Sequence, residues 1–148
     1  MLFLIIAIGI CVIDQIMKFY VECVWKKEEV PEDSDSKVML TKQYNTGFIL
    51  NWCERQKNTV KFISLILCSF LFGVLFTVVR GKGENFLKVA LSFLFGGALS
   101  NTIDRVKKGH VVDYLKFRKI KNIIFNIADL FIFLGAIMIA IREIFHKK

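Results

Sequence analysis

Residues 96–105, which read Gly-Gly-Ala-Leu-Ser-Asn-Thr-Ile-Asp-Arg, decide the fold together with Val-Val-Asp at 111–113 and Phe-Asn-Ile-Ala-Asp at 125–129. Two apolar segments meet here across a short basic loop, and each brings carboxylates to the point where it would leave or enter a membrane. The only acidic residues between positions 85 and 140 are Asp104, Asp113 and Asp129. Because ionisable groups at membrane depth are costly, these three aspartates are candidate functional residues.

The composition is that of a membrane protein. Of the 148 residues 55% are hydrophobic, 15 are phenylalanine, and the mean hydropathy is +0.52. The apolar residues form four long runs, which predict one polytopic membrane domain over residues 1–148. We expect helical spans over about 1–20, 60–79, 86–101 and 123–144.

The net charge of +8 would suggest a nucleic acid partner in a soluble protein. In a membrane protein, basic loops instead meet anionic lipid head groups, so we expect membrane lipids and no nucleic acid as partners. The basic segment 116–121, with Leu115, Phe117 and Ile120 interleaved, is typical of a surface at the membrane interface.

Cysteine and histidine usage gives no sign of a metal site or cofactor. Cys11 and Cys68 lie inside apolar runs, whereas Cys23 and Cys53 lie in the polar segment and could pair in an oxidising compartment. No Cys/His spacing typical of zinc occurs.

The first run carries Asp14 and Lys18, four residues apart and therefore on one helix face. Two interpretations are open, a structural ion pair near a helix end and a direct part in chemistry. A cleaved signal peptide is disfavoured because no basic segment precedes the apolar stretch and no small-residue cleavage site follows it.

The polar segment 22–58 predicts a small β-element on the membrane surface. Short apolar runs at 38–40 and 48–50 flank the turn residues at 44–47, which predicts a strand–turn–strand unit. The acidic cluster at 28–35 around Pro31 is typical of a solvated loop.

Asp113 and Asp129 are sixteen residues apart and flank the basic loop. If that loop folds back, the carboxylates face one another and share a proton, because two neighbouring carboxylates do not both ionise easily. One can then act as general base on a water while the other, protonated, polarises a scissile carbonyl. No base accompanies a serine nucleophile, and no P-loop is present.

Five motifs together resemble bacterial lipoprotein signal peptidase, also called signal peptidase II. They are Asp14-Gln15 with Lys18, Asn45-x-Gly47, the stretch 96–105, Val111-Val112-Asp113-Tyr114 and Phe125-Asn126-x-Ala128-Asp129. They occur in the family's order and span most of the chain.

The resemblance implies an aspartyl endopeptidase that removes the signal peptide from prolipoproteins by cleaving before a diacylglyceryl-modified cysteine. It implies Asp113 and Asp129 as the catalytic pair and a supporting role for Asp104. It also implies a set of residues that shape the site or position substrate, namely Asn45, Gly47, Asn101, Arg105, Asn126, Asp14 and Lys18.

The resemblance further implies a membrane all-α fold of four transmembrane helices, with a small extracytoplasmic β-element between helices 1 and 2. It places the protein in the bacterial cytoplasmic membrane with both termini in the cytoplasm and the active site near the outer surface. The count of basic residues alone favours termini outside, and here we follow the family. We expect a monomer without cofactor or metal.

Five positions, at three places in the chain, depart from the family pattern. Phe48-Ile49-Leu50 replace smaller residues after Asn-x-Gly, Ser100 stands where glycine is common, and Leu130 replaces a small polar residue. Because bulk near Asn45 can reshape the substrate site, these departures bear on substrate range.

Other functions remain open at this point. Membrane carboxylates also serve as proton relays, so a small proton-coupled carrier is the alternative function, and a non-enzymatic scaffold is a third. Arg105 could pair with Asp104 or bind a lipid phosphate, and Asn126 could be an interhelical hydrogen-bonding residue.

Overall fold

A computed structural model describes residues 1–24, 37–47, 56–120 and 123–146. Within them lie four long helices, α1 (Leu2–Phe19), α2 (Lys57–Arg80), α3 (Asn85–Lys107) and α4 (Ile127–His146). A short π-helical turn, Tyr20–Val24, extends α1. Three strands complete the fold, β1 (Val38–Asn45), β2 (Val111–Phe117) and β3 (Ile124–Phe125).

Three helical segments among the described residues are long and apolar enough to cross a membrane, namely Leu2–Val24, Lys57–Arg80 and Asn85–Lys107. Their outward faces carry large apolar side chains, and on α2 Phe62, Ile66 and Phe70 are about two-thirds exposed. Such surface suits contact with lipid. Helix α4 carries Asp129 in its first turn and Arg142 and Glu143 near its end, and its role as a fourth span stays a prediction.

Two helix ends differ from the predicted spans, whose limits in the membrane stay a prediction. Helix α3 continues past residue 101 to Lys107, so Asp104 and Arg105 belong to its last turns. Helix α4 begins at Ile127 rather than at 123, because Ile124 and Phe125 pair with Lys116 and Leu115 as strand β3. Short β-branched and aromatic runs of this kind are ambiguous between helix and strand by pattern alone.

Helix α3 lies at the centre of the bundle and packs against α1, α2 and α4. Glycines allow these close approaches. A Cβ built at Gly96 would lie 2.6 Å from the carbonyl oxygen of Ala7 in α1, and one at Gly97 would overlap that of Ala128 in α4. Any larger residue at 96 or 97 would therefore separate the helices that carry the candidate site.

The sheet has the order β1-β2-β3, with both pairs antiparallel. The ladder between β1 and β2 runs from Val38 opposite Phe117 to Asn45 opposite Val111, with an irregularity between Leu40 and Gln43. One continuous strand covers 38–45 and pairs with β2, which follows α3, so Tyr44 and Asn45 belong to the strand rather than to the predicted turn. The predicted pairing of 38–40 with 48–50 stays a prediction. Residues 48–50 lie outside the described residues.

The sheet is therefore not built from the segment between helices 1 and 2 alone, because β2 and β3 lie between α3 and α4. One face packs on the end of α1, where Val21, Val112 and Tyr114 form a buried cluster. This packing fixes the position of β2, which carries Asp113, relative to the end of α1.

Candidate active site

Asp113 lies in the middle of β2 and is 4% exposed. It pairs with Gln43 across the ladder, so Asn45 is its diagonal neighbour, within reach on an antiparallel sheet. The Asn45 Nδ2 group donates to Asp113 Oδ2 at 3.1 Å, and the Asn126 Nδ2 group donates to Oδ1 at 2.7 Å. Two amides from different parts of the chain thus hold this carboxylate.

Asp129 lies in the first turn of α4 and takes part in a reciprocal cap. The Asp129 N–H donates to Asn126 Oδ1 at 2.8 Å, and the Asn126 N–H donates back to Asp129 Oδ2 at 3.2 Å. This is the capping-box arrangement with Asn at the N-cap and Asp three residues later. The Asn101 Nδ2 group donates to the other oxygen, Oδ1, at 2.8 Å.

A single buried residue, Asn126, therefore joins the two carboxylates through its side chain and its backbone N–H. Asn126 donates to Asp113 and accepts from the backbone of Asp129, and its Nδ2 group also donates to Asn101 Oδ1 at 3.2 Å. Strand β3 pairs with β2, which carries Asp113, and ends at Phe125, directly before Asn126. The chain therefore folds back after Asp113, which was the condition for the two carboxylates to face one another.

Both carboxylates line one cavity of about 230 Å³. Its polar walls come from the predicted site residues and its apolar walls from β3 and α4. The lining residues are Asn45, Asn101, Arg105, Val111, Asp113, Ile123, Ile124, Phe125, Asp129, Ile132 and Phe133.

Burial, with the neighbouring charge of Asp129, raises the pKa of Asp113 to about 7. The hydrogen bonds from Asn45 and Asn126 act in the opposite direction, because they stabilise the charged form. An aspartate with such a pKa can hold a proton near neutral pH, which is what general acid catalysis requires.

Arg105 positions the chain that follows β1. Its Nη2 group donates to the carbonyl oxygen of Gly47 at 2.9 Å, and the Gly47 N–H donates to Asn45 Oδ1 at 3.0 Å. Gly47 is buried at this contact. Arg105 and Gly47 thereby fix the orientation of the Asn45 side chain that contacts Asp113.

Lys18 is fully buried and is the centre of a second polar group. Its Nζ contacts Asp14 Oδ2 at 2.7 Å and Asp104 Oδ2 at 3.0 Å. The ion pair between Asp14 and Lys18, one of the two interpretations of the sequence, is thus present. Asp104 is a second partner of Lys18. Lys108 contacts the other oxygen of Asp104 at 3.2 Å, so two cations accompany the two carboxylates.

We call this second group the Lys18 cluster (Asp14, Lys18, Asp104). The side-chain amide of Asn101, which lines the cavity, connects the cluster to it. Lys18 Nζ donates to Asn101 Oδ1 at 2.8 Å. With its oxygen held by a cation, Asn101 must present its Nδ2 group to Asp129. A residue in α1 therefore sets the direction of a hydrogen bond to a carboxylate in α4.

Two further residues belong to this network, although the sequence gave them no role of their own. Ser100 Oγ donates to Asp14 Oδ2 at 2.6 Å, and the Tyr114 hydroxyl donates to Asp14 Oδ1 at 3.0 Å. Ala128 N–H also donates to Oδ1, at 3.2 Å. Asp14 thus joins α1 to α3, β2 and α4. The only signal in the sequence was that Ser100 and Tyr114 stand inside the matching motifs.

Several sequence predictions fall on residues that the structure does not describe. The substitutions Phe48-Ile49-Leu50, the acidic cluster around Pro31 and Cys53 all lie outside the described ranges. Their effect on substrate range and the pairing of Cys23 with Cys53 stay predictions, as does the monomeric state.

Comparison with a family model and with known relatives identifies the same family in both cases. The family model described as Signal peptidase (SPase) II matches residues 6–145. The chain is similar to a lipoprotein signal peptidase of Clostridioides difficile (strain 630), with 31% identity over all of this chain and 98% of that protein. It is also similar to one of Fusobacterium nucleatum subsp. nucleatum, with 30% identity over all of this chain and 89% of that protein.

Two solved structures have a similar fold. One, described as a bacterial membrane enzyme solved by the in meso method at 2.3 Å resolution, superimposes with a TM-score of 0.83 and 29% identity. The match covers 99% of this chain and 89% of the other. A second such structure, at 1.9 Å resolution, gives a TM-score of 0.75 and 30% identity, covering 94% of this chain and 90% of the other.

Proposed function

The chain belongs to the signal peptidase II family, whose members cleave signal peptides from lipoproteins in bacterial membranes, and on that premise we propose an aspartyl mechanism for it. The substrate is a diacylglyceryl-modified prolipoprotein, cut before the lipidated cysteine. The observation that carries the proposal is that Asn126 contacts both carboxylates, which line one cavity. Its side-chain amide donates to the Asp113 carboxylate, and its backbone N–H donates to the Asp129 carboxylate.

In this mechanism Asp113 and Asp129 share one proton, and the protonation state belongs to the pair. The ionised carboxylate takes a proton from a water while the protonated one donates a hydrogen bond to the scissile carbonyl. Water attacks the carbonyl carbon, and the proton then passes to the leaving amine. The amides of Asn45, Asn101 and Asn126 hold the carboxylates in place, which limits the reorganisation that the reaction requires.

The direct test is cleavage by the purified protein in detergent. We expect a lipidated prolipoprotein to lose the mass of its signal peptide at the bond before the modified cysteine, with a chelator present throughout. The matched control is the same precursor without the diacylglyceryl group, which should remain uncut. An intact lipidated precursor, together with proton flux through proteoliposomes, would instead favour the carrier.

We propose that the sheet and the site face the outside of the cell membrane and that both chain ends face the cytoplasm. The sheet lies at the end of the bundle where α3 ends and α4 begins, whereas the turn between α2 and α3 lies at the other end. In a cysteine-free background, Lys119→Cys should react with an impermeant thiol reagent in whole cells and Lys82→Cys only after lysis. The reverse pattern would invert the orientation.

The pH dependence of kcat/KM should report the shared proton. Because the pKa of Asp113 is raised to about 7, we expect activity to fall as pH rises above about 7 and the pair loses that proton. Asn45→Ala removes a hydrogen bond that favours the charged form of Asp113. The loss of kcat/KM at high pH should therefore shift to higher pH by about one unit. Tyr44→Phe is the matched control, and an unshifted loss in Asn45→Ala would contradict the assignment.

A further inference from the structure

Tyr114 follows Asp113 directly in β2, and its side chain lies on the other face of the sheet. Val111 and Asp113 line the candidate active-site cavity, whereas Val112 and Tyr114 lie in the buried cluster against the end of α1. Tyr114 is fully buried and does not line the cavity. The proposed reaction gives this residue no part, so its buried hydroxyl requires a separate explanation.

The first two N–H groups of α4, those of Ile127 and Ala128, have no carbonyl partner within the helix, as at helix starts generally. The Ile127 N–H donates to the Tyr114 hydroxyl at 3.2 Å, and the Ala128 N–H donates to Asp14 Oδ1 at 3.2 Å. The Tyr114 hydroxyl in turn donates to the same oxygen of Asp14 at 3.0 Å. Residues of β2 and α1 therefore cap together the helix that carries Asp129.

The Tyr114 hydroxyl can serve both neighbours because a phenol donates one hydrogen bond and also accepts. Burial, with the nearby charge of Asp14, raises the pKa of Tyr114, so the hydroxyl keeps the proton that it donates. Phenylalanine would keep the ring in the buried cluster but would remove both hydrogen bonds. Packing and hydrogen bonding at this position can therefore be separated by the loss of one oxygen atom.

Strand β2 is joined to the start of α4 on both faces of the sheet. On the cavity face, Asn126 Nδ2 donates to Asp113 Oδ1 at 2.7 Å, and on the opposite face the Ile127 N–H donates to the Tyr114 hydroxyl. Consecutive residues of β2 thus contact consecutive residues at the helix start. The first connection includes a carboxylate whose protonation changes in the proposed reaction. The second includes no such group and can stay constant throughout the reaction.

We propose that Tyr114 is a positioning residue for cleavage, which fixes the start of α4 against β2 and so maintains the spacing between Asp113 and Asp129. This inference rests on the proposed function, because the spacing matters only if the two carboxylates share a proton. Its role differs from that of Lys18, which orients the Asn101 amide toward Asp129. Tyr114 instead determines where the helix that carries Asp129 begins.

The test compares Tyr114→Phe with the wild type in the lipidated-precursor assay. Because a small displacement of reacting groups lowers the rate strongly, kcat should fall about tenfold. KM should stay nearly unchanged, since Tyr114 does not line the cavity. A residue that only stabilised the fold would lower the amount of active protein and leave the kcat of the folded fraction as it is.

The pH dependence of Tyr114→Phe gives a second readout. The charge of Asp129 raises the pKa of Asp113, and a wider spacing weakens that effect. The loss of kcat/KM at high pH should therefore shift to lower pH, which is opposite to the shift expected for Asn45→Ala. The charged groups around Asp113 are Asp129, Arg105 and Lys18, and the substitution changes none of them.

Tyr20→Phe is the matched control, because it removes a hydroxyl from a tyrosine that is 43% exposed. It should leave kcat, KM and the pH dependence unchanged. Amide hydrogen exchange reads the contact without turnover. The first turn of α4 should exchange about five- to tenfold faster in Tyr114→Phe than in the wild type, since one hydrogen bond of its cap is lost, while α2 should be unaffected.

A second variant separates positioning from stability. Ile127→Pro removes the N–H that donates to Tyr114, and proline suits the first position of a helix. Combined with Tyr114→Phe, it leaves no donor without its acceptor at this contact. The unfolding temperature should therefore recover in part relative to Tyr114→Phe, whereas kcat should not.

Wild-type kcat and pH dependence in Tyr114→Phe, or unchanged exchange at the start of α4, would overturn this inference alone. A raised KM with unchanged kcat would overturn it too, and would assign Tyr114 to substrate binding. Recovery of kcat together with the unfolding temperature in the double variant would make Tyr114 a structural residue only. A wild type that does not cleave would contradict the proposed function, and this inference with it.

Discussion

Asp113→Asn and Asp129→Asn should each lose nearly all cleavage activity, by roughly a hundred- to ten-thousand-fold, while the protein still inserts in the membrane. Asparagine has nearly the shape of aspartate but cannot take a proton from water and return it. In both variants the carboxylate that remains has no partner with which to share the proton. The rate is measured by mass shift with lipidated precursor, as for the wild type.

The double variant should be scarcely worse than either single variant, because residues that act as one unit do not contribute additively. Asp104→Asn is the matched control. Asp104 contacts Lys18 and Lys108 and does not line the cavity, so its loss should lower the unfolding temperature more than the chemical step. Substantial turnover by Asp113→Asn or Asp129→Asn at wild-type unfolding temperature would exclude the aspartate-pair mechanism.

Lys18→Met should destabilise the fold by about 3–5 kcal/mol, the usual cost of leaving a buried carboxylate without its cation. Asp14 and Asp104 are both fully buried and both contact Lys18. Activity of the fraction that folds should fall as well, because Asn101 would no longer be held with its amide toward Asp129. Thermal unfolding in detergent and cleavage rate are measured on the same sample.

Two comparisons separate stability from positioning. Lys107→Met removes an exposed lysine of α3 and should be nearly neutral. Lys18→Met combined with Asp14→Asn leaves Asp104 paired with Lys108 and should recover part of the lost stability but not the activity. A Lys18→Met variant as stable as Lys107→Met would mean that the Lys18 cluster contributes little.

The sequence predicts the helices and the candidate carboxylates because both depend on local pattern. Long apolar runs identify α1, α2 and α3, and rare acidic residues in apolar surroundings identify Asp104, Asp113 and Asp129 as candidates. The family resemblance selects Asp113 and Asp129 from these three. The Asp14–Lys18 pair could also be predicted, since helical spacing alone places those residues on one face.

The partners of these residues could not be predicted in the same way. Ser100 and Tyr114 contact Asp14 from 86 and 100 residues away, and no periodicity relates such positions. The pairing of β1 with β2 also escaped, because the turn residues near Asn45 resemble a hairpin although the partner strand follows two helices. Long-range pairing depends on how the helices pack, which local sequence does not record.

The strand order has a consequence for synthesis of the protein at the ribosome. β1 is made before α2 but finds its partner β2 only after α3 has been made, and Asp129 follows later still. Pairing between such distant segments is a late event in folding. The nascent chain therefore passes β1, with Asn45, through the translocation machinery before either proposed catalytic aspartate has been made. Proteolytic competence then arises only when nearly the whole polypeptide has left the ribosome.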